Sequence, residues 1–469
     1  MLLLLYSQRL PVRSQSAAHV DVDVVMNMIS IQCAVSSSSS TPVLRAGPGP
    51  ASICYMSKRA RSSLCQSVVG PRATLVLPEG TVVLVAGSWV TASIEVDEDA
   101  GVIAAVAILD DSPNVATSTH FLIPGLIDTH VHVTATTADL AALSRLPPSY
   151  VAIAAIAELR ASAQRGFTAV RDAGGADCGV ARAASESLLG VCPRLLFSGR
   201  ALSQTGGHGD FRGAGEACAC ACGGIGRVCD GVDECRRACR DELRKGAHAI
   251  KIMAGGGVAS PTDRLEDTQF SESEISAIVE EAHAKHTYVF AHAYTPEAIS
   301  RCVRLGVRSI EHGNQLDEAS AHAMAKAGAY LSQTLITYVA LRESGLANGM
   351  PAPLVAKVGK LVEQGSAAIT LAQRHGVLIT YGSDLLASMR PKQLQGFGLL
   401  LDAGLTPAEA LATATSNAAA LLGLDAGEIA VGKLCDLALL RVNPLDCDAM
   451  RALSEADVAG CWVGGARAK

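Results

Sequence analysis

The sequence predicts an α/β fold: a (β/α)8 TIM barrel with a small β-sandwich domain built from both ends of the chain. Three observations carry this. Short apolar runs alternate with longer stretches of helical period through the middle of the chain, and alternating β and α units imply a parallel sheet. Eight such runs can be counted, the number that closes a barrel rather than leaving an open doubly wound sheet. β-like segments without intervening helices flank the series at both ends, and chain termini lie close together in many domains.

Composition agrees. Of 469 residues, 49% are hydrophobic, 18% charged and 4% aromatic, enough for a large core of small residues packed on both faces of parallel strands. The net charge of −6 comes with no large basic block, so nucleic-acid binding has little support. Fifteen cysteines in a long chain read as free thiols in a reducing compartment rather than as the disulfide framework of a short secreted domain.

The expected division is a leader at 1–72, a composite β domain from 73–122 and 425–469, and a barrel at 123–424. The leader opens on a short apolar run, followed by Arg9 and Arg13 and later by the serine run Ser36–Ser40. It reads as disordered or as a targeting segment. The expected compartment is cytoplasmic, or mitochondrion or plastid if the leader is a transit peptide. No stretch reads as a membrane span.

Short strands are expected at 74–77, 82–86, 92–96 and 102–109, and again at 434–442 and 458–463. Barrel strands are expected at 123–133, 167–172, 194–198, 249–253, 288–293, 309–312, 330–335 and 377–382. Helices fall between and after them, at 149–165, 180–189, 232–245, 272–285, 296–305, 318–327, 354–375, 392–403 and 407–422. Ser271 and Glu274 carry a capping-box signal ahead of one of these helices. Gly255-Gly-Gly257 has the wrong spacing for a dinucleotide site.

In such barrels, chemistry sits at the C-terminal ends of the strands. The first strand ends in His130 and His132, two residues apart and therefore on one face. Lys251 lies on the fourth strand between two isoleucines, His292 on the fifth, His312 at the end of the sixth and Asp384 after the eighth. Each has a plainer reading taken alone: a satisfied core histidine, a snorkelling lysine, a helix-capping aspartate. Polar residues recurring at the same end of successive strands point instead to a metal site. Tyr294 shares the face of His292, and His208 lies in a glycine-rich loop after the third strand. Both are candidate substrate contacts.

The segments Pro124-Gly-Leu-Ile-Asp-Thr-His-Val-His132, Ile250-Lys-Ile252, Ala291-His-Ala293, Glu311-His-Gly313 and Gly382-Ser-Asp384 resemble the amidohydrolase superfamily. Thr205-Gly-Gly-His-Gly-Asp210, Gly255-Gly-Gly-Val-Ala-Ser-Pro261 and His292-Ala-Tyr-Thr-Pro-Glu297 are similar to its branch of metal-dependent prolidases and carboxypeptidase-like enzymes, which includes ochratoxin-hydrolysing amidases. The resemblance covers about residues 120–465. It implies a binuclear zinc site, with His130, His132 and Asp384 on one ion, His292 and His312 on the other, and Lys251, carboxylated by carbon dioxide, bridging the two Zn²⁺. Asp384 and Lys251 would then be the catalytic residues, with Tyr294 binding a substrate carboxylate.

The implied function is zinc-dependent hydrolysis of amide bonds in dipeptides or N-acyl amino acids that carry a free carboxylate. A cyclic-amide hydrolase or aminohydrolase of the imidazolonepropionase kind is the alternative enzyme, and a catalytically silent ligand-binding barrel the alternative outside enzymes. The expected partner is a small-molecule or dipeptide substrate, with no nucleic acid and no membrane; a homo-oligomer is compatible with the sequence. Alternating cysteines at 217–222, with Cys229, Cys235 and Cys239, depart from the family pattern and read as a loop and a helix face rather than a soft-metal site.

Overall fold

The computed structural model describes residues 71–216 and 224–469. Apart from its last two residues, the leader expected at 1–72 lies outside the described residues, as does the Cys-rich run at 217–222.

The N-terminal strands are β1 (Arg72–Thr74), β2 (Thr81–Val85), β3 (Ser88–Asp97), β4 (Val102–Asp110) and β5 (His120–Pro124). The central strands are β6 (Leu126–Val131), β7 (Phe167–Asp172), β8 (Arg194–Phe197), β9 (Ala201–Ser203), β10 (Gly226–Val228), β11 (Ile250–Met253), β12 (Val289–Ala293), β13 (Ser309–His312), β14 (Tyr330–Gln333) and β15 (Leu378–Tyr381). The chain ends with β16 (Leu437–Leu440), β17 (Val458–Val463) and β18 (Ala466–Arg467).

Strands from both ends share one mixed sheet in the order β1-β3-β2-β5-β16-β17-β18, with β4 beside β3. β3 alternates buried and half-buried residues along most of its length, the pattern of a strand with one covered face. The central strands form two parallel sheets, β6-β7-β8 and β10-β9-β11-β12-β13-β14-β15. Most of these strands are buried on both faces, as in the all-buried Val-Phe-Ala-His-Ala of β12, so they show continuous apolar runs instead of alternation. Hydrogen bonds link the two sheets at both margins: His248 N to Phe197 O at 2.8 Å, and Asp384 N to His130 O at 2.8 Å. Ile252, Ala291, Ile310 and Leu331 pack in one core with Ile275, Ile278 and Ile299 from the covering helices.

Local signals explain most boundaries. Ser271 and Glu274 form the capping box that starts the helix Glu272–Ala284. The apolar run at 123–133 is not one strand. It breaks at Gly125, where a Cβ would lie 2.2 Å from Thr168 Oγ1, so β5 joins the mixed sheet and β6 the parallel one. The helix expected at 354–375 is two, Ala352–Ala356 and Leu361–Arg374, parted at Gly359, whose φ of 42° favours glycine. The segment 407–422 likewise splits into Pro407–Thr413 and Ser416–Leu422. The helix Leu335–Ser344 was not legible, because its residues are largely buried and lack an amphipathic stripe. The described cysteines are free thiols, with Cys229 and Cys235 buried and their Sγ atoms 3.8 Å apart. No helix among the described residues is long and apolar enough to cross a membrane.

Candidate active site

One cavity of about 520 Å³ is lined by His130, His132, Lys251, His292, His312 and Asp384, and also by Tyr294 and His208. Every site residue expected from the sequence therefore reaches the same space. They arrive from β6, β11, β12 and β13 and from the segments that follow β6, β9, β12 and β15.

The imidazoles form a continuous cluster. Ring centroids are 5.4 Å apart for His130 and His132, 4.9 Å for His130 and His312, and 4.5 Å for His292 and His312. Asp384 Oδ1 lies 3.4 Å from His132 Nε2 and 3.7 Å from His130 Nε2. His130, His312 and Asp384 each offer a ligand atom within 4.8 Å of the others.

A second hydrogen bond orients each ring. His130 Nδ1 bonds Glu311 Oε2 at 2.6 Å, His132 Nδ1 the carbonyl of Gly174 at 2.9 Å, and His312 Nδ1 the Thr334 hydroxyl at 2.7 Å. His292 uses the other nitrogen, Nε2, on the carbonyl of Gly256 at 2.9 Å. A nitrogen that meets a carboxylate or carbonyl carries the ring's proton, so the opposite nitrogen keeps its lone pair. Burial, followed mainly by neighbouring positive charge from Lys251 and other histidines, pushes His132 down to about 3 and His130, His292 and His312 well below the usual histidine range. Four neutral imidazoles, three of them tied through the other nitrogen to a carboxylate or carbonyl, are the donor set that borderline-soft cations take.

Lys251 is 1% exposed. Burial pushes its amine down to about 8, and the carboxylates Glu311 and Asp384 oppose the shift. Burial also raises Asp384 to about 7, with Lys251 pulling the other way. An amine lowered this far has a larger unprotonated, nucleophilic fraction than a surface lysine. The donor set fits a divalent cation, with His130, His312 and Asp384 closest together.

Two of the candidate ligands sit on left-handed backbone, His312 at φ 72° and Asp384 at φ 51°. Such conformations are costly for residues with a side chain and cluster at functional sites. At His312 the consequence is visible. Strand alternation would turn Glu311 and His312 to opposite faces, yet Glu311 bonds a ring of the cluster and His312 belongs to it.

Sequence reasoning missed the supporting residues. Glu311 accepts from Arg171 Nη2 at 2.8 and 2.9 Å as well as bonding His130. Asp128 Oδ1 accepts from the backbone N–H of His130 and of Ser383, each at 3.0 Å, tying β6 to the turn that carries Asp384. Asp128 shares a strand face with His130, and that spacing was a usable signal. His208 Nδ1 bonds Ser260 at 2.7 Å, and Ser260 in turn bonds Asp263. Nothing in the spacing of these residues announces that contact.

Comparison with known proteins agrees with this geometry. A curated relative, ochratoxinase from Aspergillus niger, is 35% identical over 318 residues, or 64% of this chain; the chain spans 65% of the ochratoxinase's own length. A crystal structure of a prolidase complexed with N-methylphosphonate-L-proline is 43% identical, with a TM-score of 0.79 over 85% of this chain and 99% of that one. A Xaa-Pro dipeptidase with methionine bound in its active site is 25% identical, with a TM-score of 0.70 over 82% and 99%. The amidohydrolase family model matches residues 121–467, from the start of β5 through the last strand and across every residue of the cluster, and the chain belongs to that family.

Proposed function

We propose that this chain is a zinc-dependent amidohydrolase that cleaves the amide bond of dipeptides or N-acyl amino acids. The observation that carries the reading is the convergence of four oriented, neutral imidazoles, a buried lysine and Asp384 on one cavity. The fold that does this is a closed (β/α)8 barrel, supported by the hydrogen bonds at both margins of the parallel sheets. The composite β domain comprises 73–122 and 425–469, supported by the sheet that pairs β5 with β16.

His130, His132 and Asp384 would hold one Zn²⁺, His292 and His312 the other, and carboxylated Lys251 would bridge them. When bound, the pair supplies a water of lowered pKa and a Lewis acid for the substrate carbonyl. Asp384 takes the proton of the attacking water and delivers it to the leaving amine, general acid–base work for a carboxylate that lines the cavity. Tyr294 and His208 contact the substrate. The remaining wall includes Leu140, Phe211, Val258, Leu341, Met350 and Leu386, an apolar surface that excludes water from the reacting bond.

The test combines metal analysis with turnover. Protein prepared with zinc and bicarbonate should carry two zinc ions per chain, bind N-methylphosphonate-L-proline, and release free amino acid from a panel of dipeptides and N-acyl amino acids. Chelation should abolish turnover and zinc should restore it. Fewer than one zinc per chain, or ammonia released in place of amino acid, would sink the proposal.

A further inference from the structure

The chain between the helices Leu335–Ser344 and Leu361–Arg374 passes over the cavity as a single layer. Its near end rests on the segments that follow β6 and β15. There Asn348 O accepts from Ala138 N at 3.3 Å, and Asn348 Oδ1 accepts from the Ser388 hydroxyl. Its far end reaches the loop that follows β11, a strand separated from β15 by β12, β13 and β14. Between these anchorages Met350 is 2% exposed and lines the cavity, whereas Pro351, Ala352 and Pro353 are exposed.

Lys357 makes the far anchorage. Its Nζ donates to the carbonyls of Asp263, Ser260 and Gly257 at 2.7, 2.8 and 3.0 Å. A lysine head has three N–H groups, and these carbonyls take all three. Asp263 Oδ1 lies 3.3 Å away, so the same group faces a buried carboxylate. A lysine at the end of a short surface helix ordinarily keeps its head in water. Three carbonyls converging on one point instead make a socket for a compact charge. The socket loop belongs to the cavity, since Val258 and Ala259 line it. One side chain therefore joins two of the cavity's walls.

We propose that Lys357 is a positioning residue: it latches the stretch 349–359 onto the loop 257–263, and so holds Met350 against an apolar group of the bound substrate. The stretch is built to be held at its ends. Gly349 at φ 90° and Gly359 at φ 42° bound it, backbone that glycine adopts without strain. A thioether side chain adapts its shape to what it meets, so its position has to come from elsewhere. The candidate metal ligands stand outside this linkage. Gly256, whose carbonyl bonds His292, is tied through its own N–H to Asp267 O at 2.9 Å. This inference rests on the hydrolase reading.

The experiment is a double-mutant cycle of Lys357→Met and Met350→Ala in the zinc-loaded chain. It is read by calorimetric affinity for N-methylphosphonate-L-proline and its N-hexyl homologue, by zinc per chain, and by kcat and KM separately. Met350→Ala should weaken binding of the longer ligand by about tenfold. Lys357→Met should weaken it at least as much, with wild-type zinc and with KM altered in place of kcat. In the Lys357→Met background, Met350→Ala should have no further effect, whereas a merely structural lysine would give additive losses. Lys357→Met leaves the Asp263 carboxylate without its cation, which is destabilising. The pair Lys357→Met/Asp263→Asn removes both charges and should fold where the single variant does not. Read against Asp263→Asn alone, which keeps the three carbonyls, it should lose the same factor in affinity. Undiminished affinity in Lys357→Met or in the pair, additive losses in the cycle, or zinc lost from Lys357→Met would each overturn the latch while leaving the hydrolase reading intact. A zinc-loaded wild-type chain that binds neither phosphonate and turns over no substrate would overturn both.

Discussion

Glu311 bonds His130 Nδ1 at 2.6 Å, and that contact decides which nitrogen of His130 faces the cavity. The same carboxylate receives the buried guanidinium of Arg171, so one side chain balances a buried charge and orients a candidate ligand. Glu311→Gln keeps an acceptor but loses the charge. It should lower metal affinity by about 10- to 100-fold, measured by competition with a chromogenic chelator. Glu311→Ala should unfold more readily, because an uncompensated buried charge costs about 3–5 kcal/mol. Wild-type zinc affinity in Glu311→Gln would remove the orienting role.

Lys251 is buried among apolar strand neighbours, and its proposed work depends on carbon dioxide. Lys251→Ala should lose most activity, on the order of 100-fold or more if the bridge stabilises charge in the transition state. Stripping zinc and reloading it in carbon-dioxide-free buffer should leave the wild-type chain short of metal, with bicarbonate restoring it. Full zinc loading without bicarbonate, or an active Lys251→Ala variant, would rule out the bridge.

Much of this site was legible because the fold repeats. Parallel strands end at one face, so His130, Lys251, His292 and His312 could be placed together from their position in successive apolar runs. Asp384 follows the last of those runs in the same way. What could not be read is anything that depends on two segments meeting at an angle. The left-handed backbone at His312 brings its ring into the same cluster that the preceding Glu311 touches. Tyr338 sits on a helix with no amphipathic signal, and Thr334 precedes that helix without capping it. Gly125 looks like any glycine until Thr168 is known to lie against it.

Asp172 gives a prediction about pH and stability. Its carboxylate accepts backbone N–H bonds from Val133, Gly174 and Ala176 at 2.8, 2.9 and 3.1 Å. Burial nevertheless outweighs those bonds and raises it from 3.8 to about 7. The folded chain therefore holds this proton to higher pH than the unfolded chain. The associated stability is fully present below the unfolded value and is lost as pH rises through about 7. Asp172→Asn removes that dependence. Its destabilisation relative to wild type, measured as the urea midpoint, should be largest near pH 5 and shrink toward pH 7.5. A difference that is constant or grows with pH would contradict the burial argument.

Gly257 supplies a test of His208 that changes no side chain of the cluster. A Cβ on Gly257 would lie 2.1 Å from His208 Cε1 and 2.4 Å from both ring nitrogens, far inside contact distance. The ring has little room to retreat, since its other neighbours are fixed. It packs on His292 with centroids 4.2 Å apart, and Nδ1 is bonded to Ser260, whose partner Asp263 is held by Gln269 and by the backbone of Gly257 itself. Gly257→Ala must therefore either push His208 from its place or strain the loop from Gly257 to Asp263. Overpacking of this kind costs about 1–3 kcal/mol, which in substrate affinity is roughly a 5- to 150-fold rise in KM. Three histidines of the cluster, His130, His132 and His312, take their orienting bonds from other segments, so zinc content should fall only as far as strain at Gly257 displaces the Gly256 carbonyl that holds His292. A raised KM with full zinc would place His208 on the substrate. Loss of zinc would instead show the strain reaching His292 through the Gly256 carbonyl, and unchanged kinetics would take His208 out of the site.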